Sequence, residues 1–292
     1  MCANGIQIAL KNYSVPGVLF FETRVVKFSA GADVVNEGDT QAFVYSTFKS
    51  LPYAPRVSEV YECFSWNGIH YLVMEKIDLP TMETWINDAR SEAEKQSRFD
   101  MACEAAANAL RYLFTLSPPG GTEIGLIQGA YAQTQSEDIR AEGGCACHPT
   151  HEFYLPQALD RRPRGAPPLA LNIAHEPLVM VQSDISPCNF LIDPETLHVT
   201  IIDFGGISVL PSSFVSLTLH VTRDTFIKGI AKFLGWERSE NIETLAAAAG
   251  IYSLTSDPRF GLDKEGVPEC LESPTGKRRR SAMARSCYPS KV

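Results

Sequence analysis

The stretch VMVQSDISPCNFLIDPETLHVTIIDFGG, residues 179–206, constrains the fold of this chain more than any other part of it. Apolar segments alternate here with polar turns, a pattern that predicts one strand ending at Asp184, one beginning at Asn189 and one ending at Asp203. The PETL turn between the last two strands predicts a hairpin, which would bring Asp203 back beside Asn189. We therefore expect an acid, an amide and a second acid close together at strand ends.

These residue types support two interpretations. Carboxylate and amide oxygens are hard ligands that suit Mg²⁺, which binds through one or two carboxylates together with phosphate oxygens and water. Asn189 and Asp203 would then hold the metal, while Asp184 would orient an attacking hydroxyl or take its proton. The alternative is ordinary turn chemistry, since Asp and Asn near a proline commonly cap turns. The order Asp, four residues, Asn and later Asp-Phe-Gly favours phosphoryl transfer.

Phosphoryl transfer also requires a lysine on a strand to hold phosphates and an acid on the next helix to orient it. VLFFETRVVKF (18–28) predicts a strand that carries Lys27, and residues 36–51 predict a helix that carries Glu37. The alternative for Lys27 is a strand lysine that extends outward to solvent. Lys27 on a strand followed by Glu37 on the next helix is the order that phosphoryl transfer requires.

Residues 55–77 predict a hairpin whose turn is WNG and whose second strand contains YLVMEKI. In a nucleotide-binding protein this segment would connect two lobes, and the backbone groups of Glu75 and Ile77 would meet an adenine edge. Met74 would line the pocket beside them. The alternative is a plain buried strand.

The rest of the chain predicts mostly helices. We expect a long helix over 81–116, broken near Ser97, and two helices in DTFIKGIAKFLGW and NIETLAAAAGIY. Residues 118–168 predict a loop or linker that is rich in Gly and Pro. The expected organisation is an N-terminal lobe over 1–76, a helical lobe over 77–263 and a disordered basic tail over 264–292.

Composition narrows the class of protein. Apolar residues make up 45% of the chain and charged residues 21%, which is typical of a globular protein. A net charge of −8 argues against nucleic acid as a partner, because phosphate backbones select basic surfaces. We expect no membrane segment and no signal peptide. The 8 scattered cysteines suit a reducing cytoplasm, and Cys188 is expected to be a small buried filler.

The segments VVKF, PRVSEVY, YLVMEKI, QSDISPCNFLID and VTIIDFGGI resemble the aminoglycoside phosphotransferase-like family. These proteins are relatives of choline kinases within the protein-kinase-like fold, and the resemblance is to the form common in fungi. It spans about residues 20–262. It implies an α+β, two-lobed fold with a small β-rich N-terminal lobe and a larger helical C-terminal lobe that enclose ATP.

The resemblance also implies residue roles. Asp184 would be the catalytic base, Asn189 and Asp203 would be magnesium ligands, and Lys27 with Glu37 would anchor phosphates. The implied activity is ATP- and Mg²⁺-dependent phosphorylation of a hydroxyl on a small molecule. A protein kinase is disfavoured because no Ala-Pro-Glu follows DFGG. The acceptor and the oligomeric state stay open.

Two departures from the family pattern keep a second function open. Gln182 stands where the family usually has a His, although its amide can still hydrogen-bond the backbone around Asp203. No Gly-x-Gly-x-x-Gly precedes Lys27, so we expect a shortened N-terminal lobe. The alternative is a catalytically weak or inactive kinase-like protein that acts as a binding module.

Two further motifs carry weaker hypotheses. CACHPTH (145–151) contains zinc-ligand residue types, but its spacing is too compact for a common tetrahedral site. KRRRS (277–281) could direct nuclear import, although charged runs in tails are usually only solvated.

Overall fold

The computed structural model describes residues 17–31, 33–119, 125, 127 and 171–253. Its strands, β1 to β9, span Gly17–Phe20, Arg24–Ser29, Arg56–Val57, Val60–Trp66, Ile69–Glu75, Leu178–Gln182, Phe190–Ile192, Val199–Ile201 and Ile207–Pro211. Its α-helices, α1 to α6, span Asp33–Phe48, Met82–Asn87, Glu92–Thr115, Ser213–His220, Thr225–Leu234 and Ile242–Ser253. No helix among these residues has the length and apolar character needed to cross a membrane.

The first sheet is antiparallel with strand order β1-β2-β5-β4. The predicted single strand over 18–28 is wrong, because a turn at residues 21–23 divides it into β1 and β2. The N–H of Phe21 donates to the carbonyl of Arg24 at 2.9 Å and closes this turn. Gly17 lies under the Phe28 ring, where a Cβ atom would come within 2.3 Å of Cζ, so a larger residue would displace the ring.

The hairpin predicted over 55–77 is confirmed as β4 and β5. Asn67 and Gly68 form its turn with φ angles of 51° and 73°, both in the left-handed region that two-residue hairpin turns favour. The short strand β3 precedes the hairpin and pairs in parallel with β8, so it connects the first sheet to the second half of the chain.

The helical predictions are correct in type and less accurate in their bounds. The helix expected over 36–51 is α1, which begins at Asp33 and ends at Phe48. The helix expected over 81–116 is interrupted once, as predicted. The interruption lies at residues 88–91, between α2 and α3, and not at Ser97. The hydroxyl of Ser91 accepts from the N–H of Glu94 at 3.2 Å, so the second helix begins where a side chain caps it.

The predicted strand pair near residue 200 is the antiparallel hairpin β7–β8. Strand β6 pairs not with this hairpin but with β9, which the sequence analysis did not predict. Every residue of β9 is buried. A short buried strand has no alternating pattern, so ISVLP could not be distinguished from the start of a helix. The helices expected over 224–236 and 241–252 are α5 and α6.

Two hydrophobic clusters correspond to the two parts of the predicted architecture. A small cluster joins the first sheet to α1 and contains Val34, Val35, Cys63, Leu72 and Met74. A much larger cluster surrounds α3, whose buried face includes Ala106, Leu110 and Leu113. The predicted α+β fold, with a small sheet-rich part and a larger helical part, is confirmed.

Several predictions fall largely or entirely outside the described residues. They are the loop or linker over 118–168, of which residues 118, 119, 125 and 127 are described, the CACHPTH stretch, the tail over 264–292 and the KRRRS run. The boundary expected between residues 76 and 77 stays a prediction.

Candidate active site

A three-residue ionic contact lies between the first sheet and the second half of the chain. Lys27 on β2 places its Nζ 2.5 Å from Oε1 of Glu37 on α1 and 3.0 Å from Oδ1 of Asp203. The same Glu37 oxygen accepts from the backbone N–H of Phe204 at 3.2 Å. The structure therefore brings together three residues that are far apart in sequence, and the lysine does not extend outward to solvent.

Burial and charge oppose each other in this contact. Burial by itself would lower the pKa of Lys27, but the carboxylates of Glu37 and Asp203 outweigh it and raise that pKa. Burial raises the pKa of Glu37, whose side chain is only 7% exposed, although Lys27 acts in the opposite direction. The Asp203 side chain is 43% exposed. Lys27 is thus a firmly charged cation between one buried acid and one accessible acid.

The second half of the site is a short 3-10 helix, Pro187–Asn189, which follows β6. The amide Nδ2 of Asn189 donates to the backbone carbonyl of Asp184 at 2.9 Å and to its Oδ2 at 3.1 Å. The side chain of Ser186 accepts from the N–H of Cys188 and caps the turn. These bonds hold the Asp184 carboxylate in a defined orientation beside Asn189.

Gln182 connects the two acids. Its Nε2 donates to the backbone carbonyl of Asp203 and its Oε1 accepts from the N–H of Asp184, each at 3.2 Å. The expected contact with the backbone around Asp203 is confirmed. Gln182 is completely buried. A Cβ atom on Gly206 would come within 2.6 Å of the Gln182 Oε1, so this close approach requires glycine.

Asp203 has a left-handed backbone conformation, with φ 62° and ψ 76°. This conformation is unfavourable for a non-glycine residue and is found preferentially at functional sites. The backbone bond from Gln182 and the side-chain bond from Lys27 both stabilise it. The turn chemistry considered as an alternative therefore does not account for Asp203, whose side chain makes no capping bond in its own turn.

The residues present fit a magnesium ion. Because both contacts of the Asn189 amide with Asp184 are made by Nδ2, its Oδ1 is the atom that suits a hard cation. Asp203 offers its second carboxylate oxygen, since Oδ1 accepts from Lys27. The described residues contain no group of three or more His, Cys, Asp or Glu that could hold a metal by themselves.

The predicted adenine-binding segment lies at the end of β5. Met74 is buried and its Sδ accepts from Nε2 of Gln41 at 3.7 Å. The N–H of Glu75 donates to the carbonyl of Glu59 at 2.9 Å, so this group is already bonded within the protein. Contact with adenine through the backbone therefore stays a prediction for the Glu75 carbonyl and for Ile77.

Two residues that the sequence analysis missed lie on the same sheet face as Lys27. Val18 is directly opposite Lys27, and Phe20 is directly opposite Val25. Because side chains alternate across a strand, all four occupy the face that packs toward α1. Val18 is 45% exposed and Phe20 is 72% exposed. The signal was present in VLFF, but treating 18–28 as one strand hid the pairing.

Cys188 corrects another expectation, because it is exposed and not a buried filler. Its thiol donates to Oε2 of Glu83, the second residue of α2, at 2.9 Å. That hydrogen bond raises the pKa of the Cys188 thiol. The contact joins the Pro187–Asn189 turn to α2.

Comparisons with known proteins give structural similarities only. No protein-family model matches the chain, and no curated protein matches it by sequence. A thermostable mutant of aminoglycoside phosphotransferase APH(4)-Ia without ligand is similar at 13% identity and a TM-score of 0.49, over 82% of this chain and 87% of that chain. The GDP complex of aminoglycoside 2'-phosphotransferase-IIIa is similar at 10% identity and a TM-score of 0.47, over 90% and 91%. The GDP and kanamycin complex of APH(2")-IIIa is similar at 10% identity and a TM-score of 0.45, over 88% of each chain.

Proposed function

We propose that this protein is a phosphotransferase that uses ATP and Mg²⁺ to phosphorylate a hydroxyl group of a small molecule. The observation that carries the proposal is the contact of Lys27 with both Glu37 and Asp203, at 2.5 and 3.0 Å. A structural ion pair would need only one acid. A second, accessible acid beside a buried pair is what a site for a phosphate-bound cation requires.

Lys27 would hold the α- and β-phosphates of the nucleotide. Its raised pKa keeps it charged, and Glu37 fixes its position from the buried side. An incoming phosphate would take over the hydrogen bond that Lys27 now makes with Asp203. Because Asp203 is partly exposed, this exchange costs little desolvation.

Asn189 and Asp203 would hold the magnesium ion through their free oxygens. The bound ion supplies charge neutralisation at the phosphate oxygens and aligns them for displacement. Gln182 keeps Asp203 at its place through the backbone, and Asn189 is kept at its place by Asp184.

Asp184 would act on the acceptor. Its carboxylate orients the hydroxyl group, whose oxygen forms a bond to the γ-phosphorus while the bond between that phosphorus and the β,γ-bridging oxygen breaks. The hydroxyl proton passes to Asp184, and ADP leaves with the bridging oxygen. The Asn189 amide already donates a hydrogen bond to Oδ2 of Asp184. The other carboxylate oxygen, Oδ1, would therefore accept the proton.

The apolar side chains on the same sheet face would form the roof over the nucleobase. Phe20 lies opposite Val25 across β1 and β2, Val18 lies two residues before Phe20 on β1, and Met74 lies opposite Val25 on β5. An exposed aromatic ring in this position can stack on a base, which is a favourable contact with any purine.

Thermal-shift titration of ATP, with and without Mg²⁺, tests the nucleotide site. We expect millimolar ATP with Mg²⁺ to raise the Tm by about 5 to 10 °C if ATP is present at about 100 times its Kd. Asp203→Ala should remove this shift. Glu195→Gln, an exposed acid in the β7–β8 turn, serves as the matched control and should retain it. The absence of any shift in folded wild-type protein would refute the proposal.

Transfer is tested separately, by measuring ADP release and phosphorylated product with a panel of small hydroxyl compounds. Product that disappears in Asp184→Asn supports the phosphotransferase. Nucleotide binding that depends on Mg²⁺ but yields no product with any acceptor favours the alternative, a kinase-like binding module without turnover.

A further inference from the structure

A pocket of about 330 Å³ lies outside the candidate active site. Its walls are α3, the loop before β3 and the β7–β8 hairpin. None of Lys27, Asp184, Asn189 and Asp203 lines it. The lining residues that matter here are Tyr53, Met101, Glu104, Tyr112, Leu197 and His198. Its volume lies in the range that small-molecule sites occupy.

Backbone strain is concentrated at this pocket. Within the described ranges, four non-glycine residues have a positive φ, and two of them line the pocket: Tyr53 at 63° and Leu197 at 57°. Asp203 lies in the candidate active site, and Asn67 and Leu197 each lie in a hairpin turn, so Tyr53 is the pocket residue whose positive φ no hairpin turn explains. Large side chains rarely adopt this conformation unless the surroundings impose it, and such residues cluster at ligand sites.

The strained backbone at Tyr53 does not serve to pack its side chain. It is 90% exposed, the largest exposure of any large hydrophobic residue in the described structure. Its loop is nevertheless held from both sides. The hydroxyl of Tyr112 donates to the carbonyl of Pro52 at 3.3 Å, and Nε2 of His198 lies 3.2 Å from the carbonyl of Ala54. The loop is therefore built to present Tyr53 at the rim of the pocket.

The charge of the pocket indicates what it would accept. Among the described residues that line the pocket, Glu104 is the acidic one and none is Lys or Arg. Within the part of the chain that the structure describes, Glu104 forms no ion pair. The rest of the wall is mainly aromatic and aliphatic, from Tyr53, Tyr112, Met101 and Leu197, and Asn108 and His198 are its other polar residues. Tyrosine faces and a carboxylate both attract an organic ammonium group, whereas they repel phosphates and carboxylates.

We propose that this pocket is a binding site for a small organic cation, a ligand with an aromatic or aliphatic body and one ammonium group. The body lies against Met101 and Leu197, and the ammonium group lies between the tyrosine rings and Glu104. The inference does not depend on the proposed function, because the site shares no residue with the nucleotide and acceptor groups.

NMR of the full-length protein with ¹³C-labelled methionine methyl groups locates the ligand. The chain has 6 methionines, so the spectrum is simple, and Met101→Leu identifies the signal of interest. The probe is phenethylammonium. We expect saturable shifts at Met101 and none at Met74, which lies on the nucleotide-facing sheet. Shifts at Met74 without shifts at Met101 would place the probe beside β5 and overturn the proposal.

Two variants and one neutral compound test the chemistry. Glu104→Gln should weaken phenethylammonium binding about tenfold, and Tyr53→Leu should weaken it severalfold. Glu92→Gln, an exposed acid in the first turn of the same helix, should leave the Kd unchanged. The neutral 2-phenylethanol, which has the same carbon skeleton, should bind about tenfold more weakly than the cation. Equal affinities for cation and alcohol, or for wild type and Glu104→Gln, would refute the assignment.

Discussion

Replacing Lys27 with methionine should leave Glu37 as a buried acid without a cation. The two side chains are of similar length, so packing changes little, but the contact at 2.5 Å is lost. Removal of one partner of a buried ion pair costs about 3 to 5 kcal/mol, since the other charge stays desolvated. Glu37 keeps its bond from the Phe204 N–H, which favours the lower limit of about 3 kcal/mol.

A loss of about 3 kcal/mol corresponds to a Tm lower by about 6 to 12 °C for a protein of this size. Differential scanning fluorimetry at pH 8 measures the difference. Adding Glu37→Gln to Lys27→Met should restore the Tm to within about 4 °C of wild type, because the neutral amide carries no charge to desolvate. Lys76→Met, which removes a surface ion pair with Asp78, is the matched control and should change the Tm by less than about 3 °C.

The loss of stability in the Lys27→Met protein should also depend on pH. Burial raises the pKa of Glu37 above its ordinary value of 4.5, and loss of Lys27 raises it further. A raised pKa in the folded state means that folding favours the protonated acid. The Lys27→Met protein should therefore recover stability as the pH falls from 8 toward 5, relative to wild type.

Two results would refute this reasoning. The first is a Lys27→Met protein that melts within about 2 °C of wild type at pH 8, which would mean that Glu37 carries no unpaired charge. The second is a double variant that melts as low as the single variant, which would assign the loss to packing.

Three further predictions concern phosphate transfer, fold stability and ATP affinity. Asp184→Asn should lower phosphate transfer by about 10² to 10⁴-fold, measured as product formation, while the ATP-dependent Tm shift persists. Gln182→Ala should lose the bonds to Asp184 and Asp203 and destabilise the fold by about 1 to 3 kcal/mol in urea unfolding, and Gln182→His should retain transfer if only positioning matters. Phe20→Ala should raise the KM for ATP about tenfold with little change in Tm, because the ring is 72% exposed. An unchanged transfer rate, an unchanged stability or an unchanged KM, respectively, would contradict each prediction.

Much of the local structure could be predicted from the sequence, because its causes are local. Asn67 and Gly68 specify a tight hairpin turn by their tolerance of positive φ. The side chain of Asp224 accepts from the N–H groups of Phe226 and Ile227 and caps α5, so a residue type in the sequence marks where this helix begins. The order of Lys27, Glu37, Asp184, Asn189 and Asp203 led to the prediction of one phosphoryl-transfer site, and the contacts of Lys27 with Glu37 and Asp203 agree with part of it.

Other features depend on contacts between distant segments, and the sequence alone did not reveal them. The pairing of β6 with β9 depends on two buried stretches that have no alternation of their own. The division of 18–28 into two strands depends on the cross-strand register that places Phe20 opposite Val25. The exposure of Cys188 depends on how α2 packs against the Pro187–Asn189 turn.

The amino-acid sequence by itself determined the residue types of the site and the elements that carry them, because turn chemistry and side-chain periodicity act over a few residues. Only the tertiary structure decided that Lys27 contacts two acids, one of them 176 positions away, and that Gln182 joins the backbone of Asp184 to that of Asp203. It also placed Tyr53 and Leu197 on one pocket. The physical reason is that burial and charge pairing depend on which surfaces meet, and that is settled by packing of the whole chain.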